Sequence, residues 1–348
     1  MTHPELMMTR AFELALSGLG SVSPNPLVGC VITKDDRVIG EGYHRQYGGP
    51  HAEVNAVQSV QDPTLLKGAE VFVTLEPCSH HGKTPPCADM LVRHQVKKVW
   101  IANTDPNPLV SGNGIRKLEA AGIEVTTGLL AATGEEVNKR FFTFMRQKRP
   151  YIMLKWAETA DGFIARKNFD SKWISNAYSR QLVHQWRAHE DAIMVGTNTA
   201  LHDDPKLNVR DWTGTDPLRI VVDRNLKLPK TLKLFTDDAA TICFNEQQSA
   251  QQSAVEYVKI PPTKSLPFMM GFLHQKGIQS VIIEGGSGLL QSFLEENLWD
   301  EARVFRSETT FGDGIASPTY GTNSRLLAQP ANEQDVQGDK LITIRNNR

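Results

Sequence analysis

The sequence is poor in cysteine, in net charge and in long apolar runs, and each shortage excludes a class of protein. Its 348 residues include only four cysteines, too few for a disulfide framework: Cys30, Cys78, Cys87 and Cys243. Lysine plus arginine number 38 and aspartate plus glutamate 39, so the net charge is −1 and a nucleic acid is not an expected partner. No run is long enough to span a membrane, and acidic residues interrupt the N-terminal segment where a signal peptide would be apolar. We therefore expect a soluble, cytoplasmic protein that acts on a small molecule.

Both halves of the chain alternate strands and helices, which predicts an α/β fold. A chain of 348 residues is long enough for two domains, and the first ends at Arg149-Pro150. In the first half we expect an opening helix within 1–20, strands at 27–33, 37–42, 71–75, 96–102 and 124–127, and a closing helix from Val137 to Met145. In the second half we expect strands at 151–157, 219–223 and 281–284, a helix from Asn176, and a strand from Ala192 that ends in a turn at 196–199.

The most informative pattern is His51-Ala52-Glu53, followed by cysteines at Cys78 and Cys87. One imidazole and two thiolates can hold a zinc ion and leave its fourth position for water, which is the arrangement of a catalytic site. A zinc-bound water has its pKa brought near neutrality and becomes a usable hydroxide at cellular pH. Glu53 is placed to carry the proton from that water to a leaving amine. The set predicts a hydrolytic deaminase that acts on a C–NH2 carbon of a heterocycle.

The local context of these residues favours metal binding. His51 follows a Gly-Gly-Pro turn and precedes an apolar-periodic run, which predicts that it lies at a helix N-terminus. Cys78 follows the strand-like run 71–75 and a proline, which indicates a strand-to-helix corner. Helix N-termini lower the pKa of a thiol and so favour the thiolate that a metal requires. The alternatives are a structural zinc and cysteines that only pack in a core, as we expect for Cys30 and Cys243.

The loop between the two cysteines is longer than the Pro-Cys-x-x-Cys of nucleic-acid deaminases. Eight residues separate the cysteines, among them His80, His81 and Lys83. These groups bring cationic and hydrogen-bonding side chains toward the metal, which suits a phosphorylated substrate. If His80 or His81 were a fourth ligand, the zinc would be structural and Glu53 would have no role.

The second half carries three weaker signals. Lys155 lies in the first strand, where a buried ammonium costs free energy unless it is paired. Arg180, His184 and Arg187 share one helix face, either as a solvated basic stripe or as an anion site for a phosphate. The buried strand that ends at Glu284 is followed by Gly285 and Gly286, a glycine corner that lets backbone amides approach a pyrophosphate. The Gly-x-Gly-x-x-Gly pattern of a Rossmann fold is absent from this corner.

Four runs of the first half resemble the deaminase half of the bifunctional riboflavin biosynthesis deaminase/reductase family, over essentially residues 5–147. They are Ser-Pro-Asn-Pro-Leu-Val-Gly at 23–29, His-Ala-Glu-Val-Asn-Ala at 51–56, Thr74 through Cys87, and Thr-Asp-Pro-Asn-Pro at 104–108. The long cysteine loop is specific to that family among zinc deaminases. The resemblance implies a cytidine-deaminase-like three-layer α/β/α domain over 1–147, in which the pyrimidine or the ribosyl phosphate is contacted by Asn25, His44, Lys83 and Asn107.

The resemblance extends over the second half, where the family has a dihydrofolate-reductase-like α/β domain that uses NADPH. It is carried by Lys155, Asp161-Gly162, Ser171-x-Trp173-Ile174-Ser175, Gly196–Thr199, Asp203-Asp204-Pro205 and Glu284-Gly285-Gly286, among others. The resemblance implies that the dinucleotide is contacted by Ala157, Trp173, Thr199, Asp203 and the turn from Gly286. It implies substrate contacts for Ser171, Arg187, Leu207, Arg210 and Glu284, with the two arginines on the phosphate. Lys155 and Glu284 are candidate acids.

The resulting expectation is an enzyme with a zinc-dependent pyrimidine deaminase domain at 1–147 and an NADPH-dependent reductase domain at 148–348. The first removes the C2 amine of 2,5-diamino-6-(5-phosphoribosylamino)pyrimidin-4-one, and the second reduces the ribosyl chain to its ribityl form. Two rivals stay open at this point. The C-terminal domain could bind nucleotide without catalysis, or the zinc could stabilise a nucleic-acid-binding protein, which the neutral charge disfavours. We also expect a homo-oligomer that has neither a nucleic-acid nor a membrane partner.

Overall fold

The computed structural model describes residues 1–79, 85–107, 111–236, 239–319 and 332–346. The chain divides into two compact units, Met1–Lys148 and Arg149–Arg348, which we take in turn. Among the described helices, none combines the length and the apolar character that a membrane crossing needs.

Among its described residues, the N-terminal unit contains five strands and six α-helices. The strands are β1 (Gly29–Lys34), β2 (Arg37–Tyr43), β3 (Glu70–Leu75), β4 (Lys98–Asn103) and β5 (Glu124–Thr127). The helices are α1 (His3–Leu16), α2 (Ala52–Ser59), α3 (Cys87–Arg93), α4 (Asn113–Ala120), α5 (Ala131–Val137) and α6 (Lys139–Gln147).

These strands form one sheet in the order β2-β1-β3-β4-β5, with helices on both faces. The first three strands pair antiparallel, whereas β3, β4 and β5 run parallel, so their carboxyl ends meet at one edge. Alternate residues of each strand face opposite layers: Val31 and Phe72 pack with α1, whereas Cys30 and Ile32 pack with residues of α2, α3 and α4. The unit is therefore a three-layer α/β/α arrangement whose parallel edge carries the segments after β3 and β4.

The C-terminal unit contains twelve strands and five helices among its described residues. The strands are β6 (Tyr151–Glu158), β7 (Phe163–Ala165), β8 (Ala192–Gly196), β9 (Leu218–Val222), β10 (Thr241–Asn245), β11 (Ala250–Gln252), β12 (Val255–Lys259), β13 (Ser280–Glu284), β14 (Glu301–Arg306), β15 (Ile315–Ala316), β16 (Asn332–Val336) and β17 (Asp339–Arg345). The helices are α7 (Ala177–His189), α8 (Thr197–Asp203), α9 (Lys233–Thr236), α10 (Ser265–Gln275) and α11 (Ser287–Glu295).

Ten of these strands form one large sheet in the order β11-β12-β10-β9-β8-β13-β6-β14-β17-β16. Its centre is parallel, and β13 lies between β8 and β6 with Val281, Ile282 and Ile283 fully buried. The parallel register of β13 and β6 places Glu284, at the carboxyl end of β13, beside Lys155 of β6. Ligand groups in open parallel sheets gather at this edge.

The first strand of this unit is anchored by a buried ion pair. The Arg149 guanidinium donates to both carboxylate oxygens of Asp300, at 2.6 and 2.7 Å, and Asp300 also accepts the Ile152 N–H at 2.8 Å. Both side chains are largely buried. Each charge is compensated by its partner at hydrogen-bond distance, so neither is left unpaired in the protein interior.

The structure adds one helix to the sequence-based expectations and corrects one turn. The closing helix expected from Val137 to Met145 is α6, and a further helix that was not expected, α5, precedes it and ends before Asn138. The Asn138 amide accepts the Leu27 N–H and donates to the Leu27 carbonyl, both at 2.8 Å, and this pairing holds its backbone outside the helical region. The segment from Thr197 is a helical stretch, α8, rather than a turn, and it begins directly where β8 ends.

Candidate active sites

The residues of the predicted zinc site come together from three elements of the N-terminal unit. His51 is the N-cap residue of α2, and Glu53 lies in the first turn of that helix with only 3% of its surface exposed. Cys78 follows β3, and Cys87 is the first residue of α3. The Cys87 N–H donates to the Cys78 sulfur at 3.3 Å, which fixes the second cysteine against the first. Both helices therefore point their positive ends at the thiol pair.

The donor atoms have the spacing that a tetrahedral zinc requires. The Nδ1 of His51 lies 3.5 Å from the Sγ of Cys78 and 3.4 Å from the Sγ of Cys87, and all three atoms are within 4.8 Å of one another. Zinc bonds of about 2.3 Å to sulfur and 2.0–2.1 Å to nitrogen place these donors roughly 3.6 Å apart. The donor set fits zinc, and among the described residues these three are its only protein ligands.

The electrostatics of the cluster suit metal binding and proton transfer. A hydrogen bond from the Cys87 thiol, helped by the His51 ring, lowers the pKa of the Cys78 thiol to about 4. The same contact, together with burial, raises the pKa of Cys87, so one proton is shared by the sulfur pair. Burial, with the negative charge of Cys78, raises the pKa of Glu53 to about 7. A carboxyl group with such a pKa can both take up and release a proton near neutral pH.

Asn25 and His44 lie beside this cluster and determine each other's orientation. The His44 ring meets the His51 ring edge to face at 5.7 Å. His44 Nδ1 lies 2.9 Å from the Pro50 carbonyl oxygen, which can only accept, so Nδ1 carries the proton. Nε2 of the neutral ring then accepts from the Asn25 side-chain NH2 at 2.9 Å. Burial lowers the pKa of His44, in keeping with a neutral ring. Asn25 therefore presents its Oδ1 as an acceptor.

Of the two remaining predicted substrate contacts of this unit, the structure describes Asn107 but not Lys83. Asn107 is half-buried in the segment after β4, where its N–H donates to the Asp105 carboxylate at 2.8 Å. Lys83, like His80 and His81, lies outside the described residues. Sequence reasoning did not single out Glu76, a buried carboxylate that holds this segment. The only local signal for Glu76 is an acidic residue directly after a buried strand.

All predicted site residues of the C-terminal unit line a single cavity of about 1290 Å³. The residues assigned to the dinucleotide are Ala157, Trp173, Thr199, Asp203 and Gly286. Those assigned to the substrate are Lys155, Ser171, Arg187, Leu207, Arg210 and Glu284. The wall also includes Lys227 and Lys233, which follow β9 without any motif and which sequence reasoning missed. One cavity thus brings together residues that are far apart along the chain.

A buried charge network forms the floor of this cavity. Arg187 donates to both Glu284 carboxylate oxygens at 2.8 Å, and the Lys155 ammonium lies 3.9 Å from Glu284. Burial alone would raise the pKa of Glu284, but the charges of Arg187 and Lys155 lower it to about 2. Burial lowers the pKa of Lys155, against the opposing effect of Glu284. The network satisfies the expectation that a lysine in this strand is paired.

The helix face of Arg180, His184 and Arg187 is not a solvated stripe. The His184 side chain is 2% exposed, and Arg187 is 11% exposed. Arg180 stacks over the Trp173 ring at 4.4 Å and donates to the Ser175 carbonyl. Burial, with the charges of Arg187 and Arg210, lowers the pKa of His184 to about 4, so its ring is neutral at physiological pH.

The glycine corner after β13 has the backbone that the sequence predicts. Gly285 and Gly286 both have positive φ, at +76° and +75°, which favours glycine over any L side chain. A Cβ on Gly285 would lie 2.9 Å from the Thr199 methyl carbon, so the corner packs directly against α8. The nine-residue α11 starts at Ser287, and Gly286 and the first residues of this helix line the cavity. This geometry fits the phosphates of a dinucleotide.

We expect Glu284→Gln to destabilise the C-terminal unit by about 3 kcal/mol at neutral pH, because it leaves Arg187 and Lys155 buried without a carboxylate. The wild-type contribution is present above the ordinary carboxyl pKa of 4.5 and is lost as the pH falls through about 2. The difference in unfolding free energy between wild type and variant should therefore shrink as the pH falls from 4.5 to about 2. Denaturant unfolding at a series of pH values measures it. Glu295→Gln, at an exposed position of α11, serves as the control, and a difference that stays constant with falling pH would contradict the assignment.

Comparison with known proteins identifies both units. Residues 1–103 match the family model of the cytidine and deoxycytidylate deaminase zinc-binding region, and residues 150–336 match that of the RibD C-terminal domain. The chain is 40% identical to the riboflavin biosynthesis protein RibD of Aquifex aeolicus over 343 residues, 96% of each chain. It is 37% identical to RibD of Escherichia coli, covering 93% of this chain and 90% of the relative.

Solved structures agree over the whole length. A diaminohydroxyphosphoribosylaminopyrimidine deaminase/5-amino-6-(5-phosphoribosylamino)uracil reductase of Thermotoga maritima superposes with a TM-score of 0.89 at 38% identity, covering 99% of this chain and 98% of that one. RibD of Acinetobacter baumannii gives a TM-score of 0.87 at 36% identity, covering 99% of both chains.

The fold, the His51, Cys78 and Cys87 cluster and the C-terminal cavity together define a two-domain α/β enzyme. Its N-terminal domain is a deaminase of the zinc-dependent cytidine deaminase type, and its C-terminal domain is a reductase. The fold class expected from the sequence is confirmed. The chain belongs to the RibD family, the bifunctional deaminase and reductase of riboflavin biosynthesis. This membership confirms the resemblance to the deaminase/reductase family.

Proposed function

We propose that the enzyme converts 2,5-diamino-6-(5-phosphoribosylamino)pyrimidin-4-one into 5-amino-6-(5-phosphoribitylamino)uracil in two steps, deamination at C2 and NADPH reduction of the ribosyl chain. The observation that carries the proposal is the pairing of two sites in one chain. One is the His51, Cys78 and Cys87 cluster with buried Glu53, and the other is the cavity lined by Arg187 and Glu284. The Thermotoga maritima protein is named for these two activities.

In the deamination step, Glu53 is the catalytic residue. Zinc held by His51, Cys78 and Cys87 would supply Lewis-acid activation of a water molecule. Glu53 takes the proton released when the C–O bond forms at C2 and gives it to the departing nitrogen, so that ammonia leaves as the C–N bond breaks. We assign to Asn25 the binding of the pyrimidine through Oδ1, with His44 orienting the Asn25 amide. Asn107 and Lys83 are assigned to the substrate as well.

In the reduction step, bound NADPH would supply a hydride to C1′ of the opened ribosyl chain. We assign the dinucleotide to the corner at Gly286 and to Ala157, Trp173, Thr199 and Asp203, all in the cavity wall. Arg187 and Arg210 hold the substrate phosphate. Ser171, Leu207 and Glu284 hold the rest of the substrate. Lys155 is the candidate donor of the proton that balances the hydride. Glu284, expected from the sequence to be a second candidate, is excluded because its pKa is lowered to about 2 and the side chain is ionised at neutral pH.

We further propose that the enzyme works in the cytoplasm, since none of its four cysteines forms a disulfide. That the protein forms a homo-oligomer stays a prediction.

A coupled assay tests both steps in one solution. Zinc-loaded protein is given the diaminopyrimidine ribosyl phosphate, ammonia is quantified, and NADPH absorbance is followed, with NADH in a parallel sample. We expect ammonia to appear first and NADPH to be consumed in equal amount, with NADH oxidised more slowly. Ammonia without nucleotide oxidation would overturn the assignment of the C-terminal cavity, and no ammonia would overturn the substrate.

A further inference from the structure

Glu76 is a buried carboxylate between the last residue of β3 and the zinc-ligand candidate Cys78. Its residue is only 4% exposed. Its Oε2 accepts the N–H groups of Asp105 at 3.3 Å and Gly112 at 3.0 Å, and its Oε1 accepts the N–H of Gly114 at 3.0 Å. Three backbone donors compensate the cost of burying the charge. The carboxylate thereby ties the segment after β4 and the start of α4 to the segment after β3.

These hydrogen bonds extend to Asn107 through Asp105. Asp105, whose N–H is bound by Glu76, uses its own carboxylate to accept the Asn107 N–H at 2.8 Å. On the other side, Gly114 approaches Pro77 so closely that a Cβ on it would lie 2.0 Å from the Pro77 carbonyl oxygen. Two hydrogen bonds in series therefore connect Glu76, two positions before Cys78, to the backbone of Asn107.

We propose that Glu76 is a positioning residue of the deaminase, which fixes the place of Asn107 relative to the metal-binding corner at Cys78. The inference rests on the proposed function, in which Asn107 contacts the substrate. A helix cap alone would need only the bonds to Gly112 and Gly114. The third bond, to Asp105, is the one that reaches toward Asn107, and it distinguishes positioning from capping.

The first test is Glu76→Gln, which keeps the size of the side chain but replaces one accepting oxygen by a donor that faces backbone N–H groups. We expect the deaminase KM to rise about tenfold, while kcat changes less than about threefold and zinc content and reductase rate stay at wild-type values. Asp62→Asn is the matched control, because that carboxylate also accepts a backbone N–H, from Thr64 at 3.0 Å, but on the exposed surface of the same unit. A kcat loss with unchanged KM would overturn the proposal.

The second test uses the other link of the path and does not depend on the folding of the Glu76 variant. Asp105→Ala should raise KM in the same way, and Asp105→Asn should restore it, because the asparagine carbonyl can still accept the Asn107 N–H. Equal KM values for the alanine and asparagine variants would overturn positioning through Asp105.

A double-variant cycle separates this inference from the proposed function. Asn107→Ala alone should raise KM, and adding Glu76→Gln should produce no further rise, since both act through the same contact. If Asn107→Ala raises KM and the two effects multiply, Glu76 does not act through Asn107 and the inference fails while the substrate contact stands. If Asn107→Ala leaves KM unchanged, the assigned contact itself fails and the inference falls with it.

Discussion

Replacing Glu53 by glutamine is expected to lower the rate of ammonia release by about 10³-fold, because the site loses its only carboxyl group in the first turn of α2. Glutamine keeps the size of the side chain but cannot take up the proton of the attacking water. The proposed zinc ligands His51, Cys78 and Cys87 are unchanged, so metal content should remain at one ion per chain in the variant. Steady-state ammonia release and metal analysis of the same sample measure the two quantities.

Two controls accompany this variant. The reductase rate, measured with the deaminated intermediate and NADPH, reports on a separate unit of the same chain and should not change. Glu41→Gln alters a carboxylate of β2 that pairs with Arg10 in the N-terminal unit, and it should leave ammonia release within about twofold of wild type. A fall of less than about tenfold in the Glu53 variant, with zinc bound, would remove Glu53 from the proton-transfer role.

Replacing Cys87 by alanine is the second change with a large expected effect. It removes one of the three candidate ligands among the described residues and also the thiol that hydrogen-bonds to Cys78. We expect zinc content to fall below one-tenth of wild type and ammonia release to fall by about 10³-fold or more, because the activated water is lost with the metal. Metal analysis after dialysis and the ammonia assay provide the readouts.

The matched control for this change is Cys243→Ala, a buried cysteine of β10 in the C-terminal unit. It creates a similar small cavity without touching a metal ligand, so zinc content and ammonia release should be retained. Stoichiometric zinc in the Cys87 variant would mean that another group supplies the ligand, and the site would have to be assigned anew.

The parts of the molecule that the sequence predicted are those specified by local pattern. His51 and Cys87 each begin a helix, and the turn and the apolar periodicity that mark a helix start lie within a few residues of them. Strands β3, β4, β6, β8, β9 and β13 appeared as short apolar runs for the same reason, whereas β12 and β14 were not predicted. The three residues that the structure brings together could thus be predicted as a candidate metal set from residue types and spacing alone.

The parts that were missed depend on contacts between distant residues. Asn138 ends α5 because its amide pairs with Leu27, 111 positions away, and no pattern near Asn138 signals that partner. The pairing of Arg187 with Glu284 spans 97 positions and follows from the order of strands in the sheet. Glu76 likewise acts on N–H groups that follow another strand, and backbone donors leave no trace in a sequence.

The buried ion pair between Arg149 and Asp300 has a consequence for protein engineering. Because the arginine is the first residue of the C-terminal unit and its partner precedes β14, the whole anchor is encoded on one side of the boundary. A gene divided between codons 148 and 149 would leave every atom of that anchor in the downstream product. A polypeptide that begins at residue 149 therefore carries the complete ion pair that fixes its own first strand.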